Sequence, residues 1–250
     1  MSAAHRVWLR QLAALALLLA AWEAAGRAGW LNPLYAPAPS KIGGALVELF
    51  VEGNVWPHLE ATFSAAIGGL VIGILVGGVL GAASALVPLL AELLEPVMML
   101  LNAIPRVVLA PLFVIWLGIG LASKVALAFV LVAVLAFFTV YTGIKQVDRR
   151  LVERVQTLGG GRWAVLREVY LPFVTAWMLG NLKVAVGFAF TGAVVGEFVG
   201  ASRGLGYLLS FAQSTYNAAL MLALVLLIVA FVMLIFGAAG RLERRLLRWR

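Results

Sequence analysis

The chain has 250 residues, 64% of them hydrophobic and 12% charged. Soluble domains are about 45–50% apolar and about 25% charged, so a single soluble core cannot hide this much apolar surface and lipid must solvate much of it. The net charge of +8 does not point to nucleic acid, because the basic residues fall in short runs beside apolar segments, where membrane topology places them.

There are no cysteines, which excludes a disulfide framework, a thiol nucleophile and a thiolate metal site. His5 and His58 lie far apart, with only Glu60 close to His58, so no metal site is expected. No catalytic cluster is visible on one side of the bilayer. At about 20 residues per span, the length suits one domain of five to seven spans, and six are predicted.

The first covers about residues 8–29, with its apolar centre between Leu12 and Trp22. A basic start and a short apolar run also fit a cleaved signal, but Glu23 and Arg27 interrupt the cleavage region, so a retained span is expected. Residues 32–57 hold several prolines, which block helix propagation, then a short amphipathic helix from Ile42 to Val51. Ser40 is its candidate cap, and it is expected to lie along the membrane surface. Residues 1–58 thus read as an N-terminal span with an extracytoplasmic amphipathic segment, and 59–250 as the core membrane domain.

The second span, about 59–86, carries Gly69, Gly73, Gly77 and Gly81 on one helix face, where a second helix can approach closely. The third, about 91–117, contains Pro96, Pro105 and Pro111; such a helix bends and frees carbonyls. The fourth is about 121–144 and the fifth about 176–199. Residues 201–214 are too short and glycine-rich to span and read as a partly re-entrant turn and helix. The sixth span is about 217–239.

Basic residues orient these spans. Arg6 and Arg10 precede the first. Lys145, Arg149, Arg150, Arg154, Arg162 and Arg167 sit in one long polar loop, 145–175. Arg241, Arg244, Arg245, Arg248 and Arg250 form the tail. Thus 13 of the 19 basic residues share one side, which places both termini and the loop in the cytoplasm. Arg27, Lys41, Lys124 and Arg203 fall on the other side.

The loop itself predicts two helices. Leu151, Val152, Val155 and Leu158 have helical spacing, so 148–158 forms an amphipathic helix with Asp148 as N-cap. Gly159, Gly160 and Gly161 end it. Arg162 to Tyr170 begins a second helix with Trp163, Leu166, Val169 and Tyr170 on one face, and Pro172 is expected to redirect the chain into the fifth span.

These residues resemble a family. Permeases of binding-protein-dependent ABC importers carry a loop with Glu-Ala-Ala, three residues, Gly, nine residues, then Ile-x-Leu-Pro. Glu153, Gly159, Val169, Leu171 and Pro172 fall at that spacing, while Arg154 and Val155 replace the two alanines. The runs Ile104-Pro105-Arg106, Leu109-Ala110-Pro111-Leu112 and Trp116-Leu117-Gly118-Ile119-Gly120 look like the third span of the nitrate/sulfonate/taurine/bicarbonate branch. So do Gly196 to Ser202 and Gly204-Leu205-Gly206-Tyr207.

The resemblance implies an all-α type I importer permease fold with six transmembrane helices and a cytoplasmic coupling helix-turn-helix. It implies a multi-pass protein of the bacterial inner membrane that passes a small anionic or polar organic solute. Its partners would be a second permease copy, two cytoplasmic ATPase subunits and a periplasmic or lipid-anchored binding protein. The chain has no Gly-x4-Gly-Lys-Ser/Thr sequence, so no cofactor is expected on it; ATP would sit on the ATPase. Coupling is assigned to Glu153, Thr157, Leu158, Gly159, Gly160, Gly161, Arg162, Trp163, Val169, Leu171 and Pro172.

Pro105, Arg106, Lys183 and Glu197 are candidate pathway residues, because charges in the bilayer face a cavity or pair. Arg106 either favours an anionic solute or bonds freed carbonyls or Glu197. Lys183 can snorkel to the cytoplasmic surface, and Glu197 can pin the 200–207 turn. An ion-coupled secondary transporter is the competing reading; it requires paired intramembrane carboxylates or inverted repeats, and only Glu197 qualifies as a carboxylate.

Overall fold

The computed structural model describes residues 3–52 and 55–246, without the side chains of residues 3, 4, 6, 106, 242–244 and 246. The Arg248 and Arg250 part of the basic tail therefore lies outside the described residues. Every regular element described is helical: α1 Ala3–Arg27, α2 Pro39–Val51, α3 Val55–Leu86, α4 Pro88–Ala103, α5 Arg106–Leu117, α6 Leu121–Lys145, α7 Arg149–Thr157, α8 Arg162–Val165, α9 Leu171–Val199, α10 Leu205–Ser214 and α11 Ala218–Leu246. Five helices are long and apolar enough to cross a membrane, and a sixth crossing arises if α4 and α5 form one broken span.

The break has a local cause. Ile104 is extended (φ −68°, ψ 128°), as the ring of a following proline demands. Pro105 then starts α5, and the two helices meet at 107°. Of the three prolines in this span only Pro105 breaks it; Pro96 and Pro111 lie inside α4 and α5.

The centre of the molecule is the α3–α6 contact. Gly69 and Gly73 press on Ala128 and Val132, and Gly77 and Gly81 on the backbone of Ala133 and Phe137. Residue numbers rise together along both helices, so they run parallel, which the α4–α5 return between them requires. A Cβ on Gly77 would stand 2.7 Å from the Ala133 Cα, so the glycine face serves packing within one chain. Helix α9 packs antiparallel to α6, with Gly192 against Ala128 and Gly143 against Trp177.

Helix α2 differs from expectation. Its Leu49 is buried in a cluster with Val55, Leu59, Leu205 and Leu224, so one face packs onto the bundle while Val47 and Val51 stay exposed. Ser40 is not its cap. Ala38 takes that position, and the Glu23 carboxylate of α1 accepts from the Ser40 N–H at 2.9 Å and the Ser40 hydroxyl at 2.7 Å. A carboxylate supplied by another helix thus satisfies an N-terminal donor of α2. Helix α1 is otherwise open, with Leu17 and Leu18 about 70% exposed.

Candidate functional site

At one end of the bundle, beside Leu86 at the end of α3, stands the predicted knob. Asp148 caps α7 by accepting from the Arg150 N–H at 2.9 Å. Thr157 donates to the Glu153 carbonyl at 2.8 Å. The helix then closes in a tight double-bonded turn: Gly160 N–H donates to the Val155 carbonyl and Gly159 N–H to that of Gln156, both at 2.9 Å. This is the Schellman arrangement, which needs a left-handed residue just past the cap. Gly159 supplies it with φ +85°.

Each glycine of the run has a different reason. A Cβ on Gly160 would come within 2.6 Å of Val155 Cγ1, whereas one on Gly161 would meet nothing within 4 Å. Gly161 is extended (φ −78°, ψ −176°) and starts α8. The turn is therefore a fixed corner of two residues rather than a flexible run of three.

Beyond Arg162 the second knob helix does not stop at Pro172. The segment Leu166–Tyr170 adopts a π-turn and continues into α9; the Leu171 N–H donates five residues back, to the Leu166 carbonyl. Pro172 has no N–H to give the Glu168 carbonyl, and the wider turn accommodates it without breaking the helix. Val165 and Val169 are buried, while Glu153, Arg154, Thr157, Leu158, Arg162, Trp163, Leu171 and Pro172 are exposed. Trp163, Leu166 and Tyr170 face Val152 and Leu86 across an open groove of about 720 Å³. The knob thus presents both a charged rim and an apolar cleft.

The opposite end is held by a buried polar knot around Glu197, which is only 1% exposed. Its Oε2 accepts from the Thr62 hydroxyl at 2.8 Å and from the Gly206 N–H at 3.0 Å. Thr62 Oγ1 accepts from the Leu205 N–H at 2.8 Å, and His58 Nδ1 from the Gly204 N–H at 3.0 Å. His58 also stacks on Tyr207, with ring centroids 5.7 Å apart. Lys124, buried at the start of α6, donates to the Arg203 carbonyl at 3.3 Å. The first turns of α3, α6 and α10 and the last turn of α9 are thus tied together at one point. Oε1 of Glu197 is buried without a hydrogen-bond partner among the described residues.

The sequence-predicted pathway residues do not converge on one site. Pro105 is exposed at the α4–α5 break. Arg106 begins α5, but its side chain lies outside the described residues. Lys183 is exposed on α9 beside Gly240 of α11, where an added Cβ would lie 2.9 Å from Lys183 Cε. Glu197 sits in the knot. No cluster of three potential metal ligands occurs among the described residues.

Residues 54–248 match the family described as binding-protein-dependent transport system inner membrane component. The chain belongs to this family. It is similar to the riboflavin transport system permease protein of Chloroflexus aurantiacus, with 33% identity over 94% of this chain and 88% of that protein. The taurine transport system permease protein of Escherichia coli is 29% identical over 94% of this chain and 87% of the relative. The fold matches the MetNI methionine ABC transporter in its inward-facing form (TM-score 0.63, 24% identity, 80% of this chain and 96% of that one). It also matches an amino acid ABC transporter crystallised with histidines (TM-score 0.61, 15% identity, 84% and 96% covered). The protein is an inner-membrane permease component of an ABC importer.

Seen as a permease, the chain holds site residues that the sequence reading did not assign. Thr62, Lys124 and His58 complete the Glu197 knot with Gly204, and Lys124, assigned from the sequence to the outer side, is buried. Their signal was present: a hydroxyl, a cation and an imidazole within or beside apolar spans, where polar groups seek partners.

Proposed function

We propose that the permease works as a pair of identical copies, each docking its 145–175 knob onto one of two cytoplasmic ATPase subunits. A periplasmic or lipid-anchored binding protein delivers a small polar organic solute. ATP closure of the ATPases moves the two knobs together, and α9, continuous with α8 through the π-turn, carries that motion into the bundle. Both chain termini lie in the cytoplasm with the knob, as the basic residues indicate.

The observation that carries this reading is the geometry at the motif spacing. Glu153 and Gly159 fall on a Schellman-closed corner, and Val169, Leu171 and Pro172 join that corner to a membrane-spanning helix. A rigid corner transmits displacement; a loose loop would absorb it. The named relatives carry riboflavin and taurine, which supports a polar organic solute without choosing between them. Arg106, whose backbone begins α5 at the break, is the residue proposed to meet an anionic part of such a solute. Family membership removes support from an ion-coupled mechanism.

Gly159→Pro cannot hold φ +85°, and Glu153→Arg inverts a charge on the exposed rim. Both variants are expected to insert normally, to lose solute uptake and to lose coupling of ATP hydrolysis to solute. Normal uptake by both would overturn the docking assignment.

A further inference from the structure

Beside the α4–α5 break lies a cavity of about 310 Å³, at the lower end of the usual range for small-molecule sites. Leu109 of α5, Leu131 and Leu135 from the middle of α6, and Phe138 and Phe188 supply apolar walls, and Asn102 of α4 is the polar residue of the lining. The Asn102 side chain is exposed and makes no hydrogen bond among the described residues. An amide left open to hydrocarbon forfeits its hydrogen bonds at a cost of several kcal/mol, so polar side chains at this depth face a water-filled or solute-filled space.

On the same α4–α6 wall, toward the cytoplasmic end, the Tyr141 hydroxyl donates to Glu95 Oε2 at 3.2 Å, and Lys145 Nζ lies 5.6 Å from the Tyr141 ring centroid. Tyr141 stacks on Phe137 and stands one helical turn beyond Phe138. Polar groups thus line the α4–α6 seam on the cytoplasmic side of the Met98 and Phe137 cluster.

On the permease reading above, we infer that this cavity is a solute-binding chamber on the translocation pathway, open to water, that takes the flat ring of a solute bearing a hydrogen-bonding edge. Two aromatic rings and three leucines suit a ring face, and the Asn102 amide both donates and accepts at its edge. The described lining holds no Lys or Arg to pair a compact oxyanion.

The absence of native cysteine makes the test clean. Single variants Asn102→Cys, Leu135→Cys and Leu75→Cys (the last on the open face of α3, 61% exposed) are placed in the full-length permease in membrane vesicles. Each is labelled with a charged methanethiosulfonate. The two chamber thiols are expected to react at least ten times faster than Leu75→Cys; equal rates would place the cavity in lipid and overturn the inference. Millimolar indole-3-acetamide is expected to slow labelling of Leu135→Cys, which keeps the Asn102 amide, at least threefold and ethanesulfonate to leave it unchanged. Protection by ethanesulfonate, or by neither probe, overturns the ring-bearing class. The labelling reports on the chamber without any ATPase present, so its failure is separable from a failure of the docking reading.

Discussion

Gly204 shows how much one residue can carry here. Its φ of +123° is open only to glycine at low cost, and a Cβ there would run into the Glu197 carboxyl group. Gly204→Ala is expected to destabilise the permease by at least about 2 kcal/mol, because backbone strain and a buried clash add. The check is a fluorescence-detected melt in detergent, and an unchanged midpoint would contradict the knot. Thr62→Val, which keeps the shape but removes the hydroxyl, leaves the Leu205 N–H unpartnered and is expected to cost about 1–3 kcal/mol. At the other end of the molecule, Gly159→Ala should cost about 1 kcal/mol for its left-handed φ, while Gly161→Ala should change neither stability nor uptake.

At the scale of elements, legibility from sequence depended on whether the cause was local. The Asp148 cap and the glycine end of α7 could be read because each acts within a few residues of itself, and the Gly69–Gly81 ladder from its four-residue period, although its partner helix α6 could not. The Pro105 break is legible only as a bend somewhere in the span, because Pro96 and Pro111 carry the same ring and yet lie inside α4 and α5. The cap of α2 was misread because its carboxylate, Glu23, lies 17 residues away on another helix. The hold of Glu197 on the 200–207 turn could be read because Gly206 is nine residues away, whereas Thr62, 135 residues from Glu197, could not be placed in the knot. Replacing Gly77 by leucine tests the ladder: it forces α3 from the α6 backbone and is expected to cost at least about 2 kcal/mol and to lower the yield of monodisperse protein. Gly43→Leu on α2, where an added Cβ meets nothing within 4 Å, is the control and should leave the yield unchanged.

For the whole molecule, the two site regions fall at opposite ends of the helix bundle. The knob lies with Leu86 and Lys145, and the Glu197 knot lies with the starts of α3 and α6. That separation suits a permease taking its solute from one side and its energy from the other. On the function proposed above, the knob is the surface through which that energy enters. Leu158, 81% exposed at the tip of the corner, provides the direct test in a chain without native cysteine. Leu158→Cys is labelled with benzophenone maleimide, and the assembled transporter is irradiated in native membranes. One dominant adduct is expected, between the permease and the ATPase subunit. Adducts with lipid or with the binding protein alone, and none with the ATPase, would contradict it.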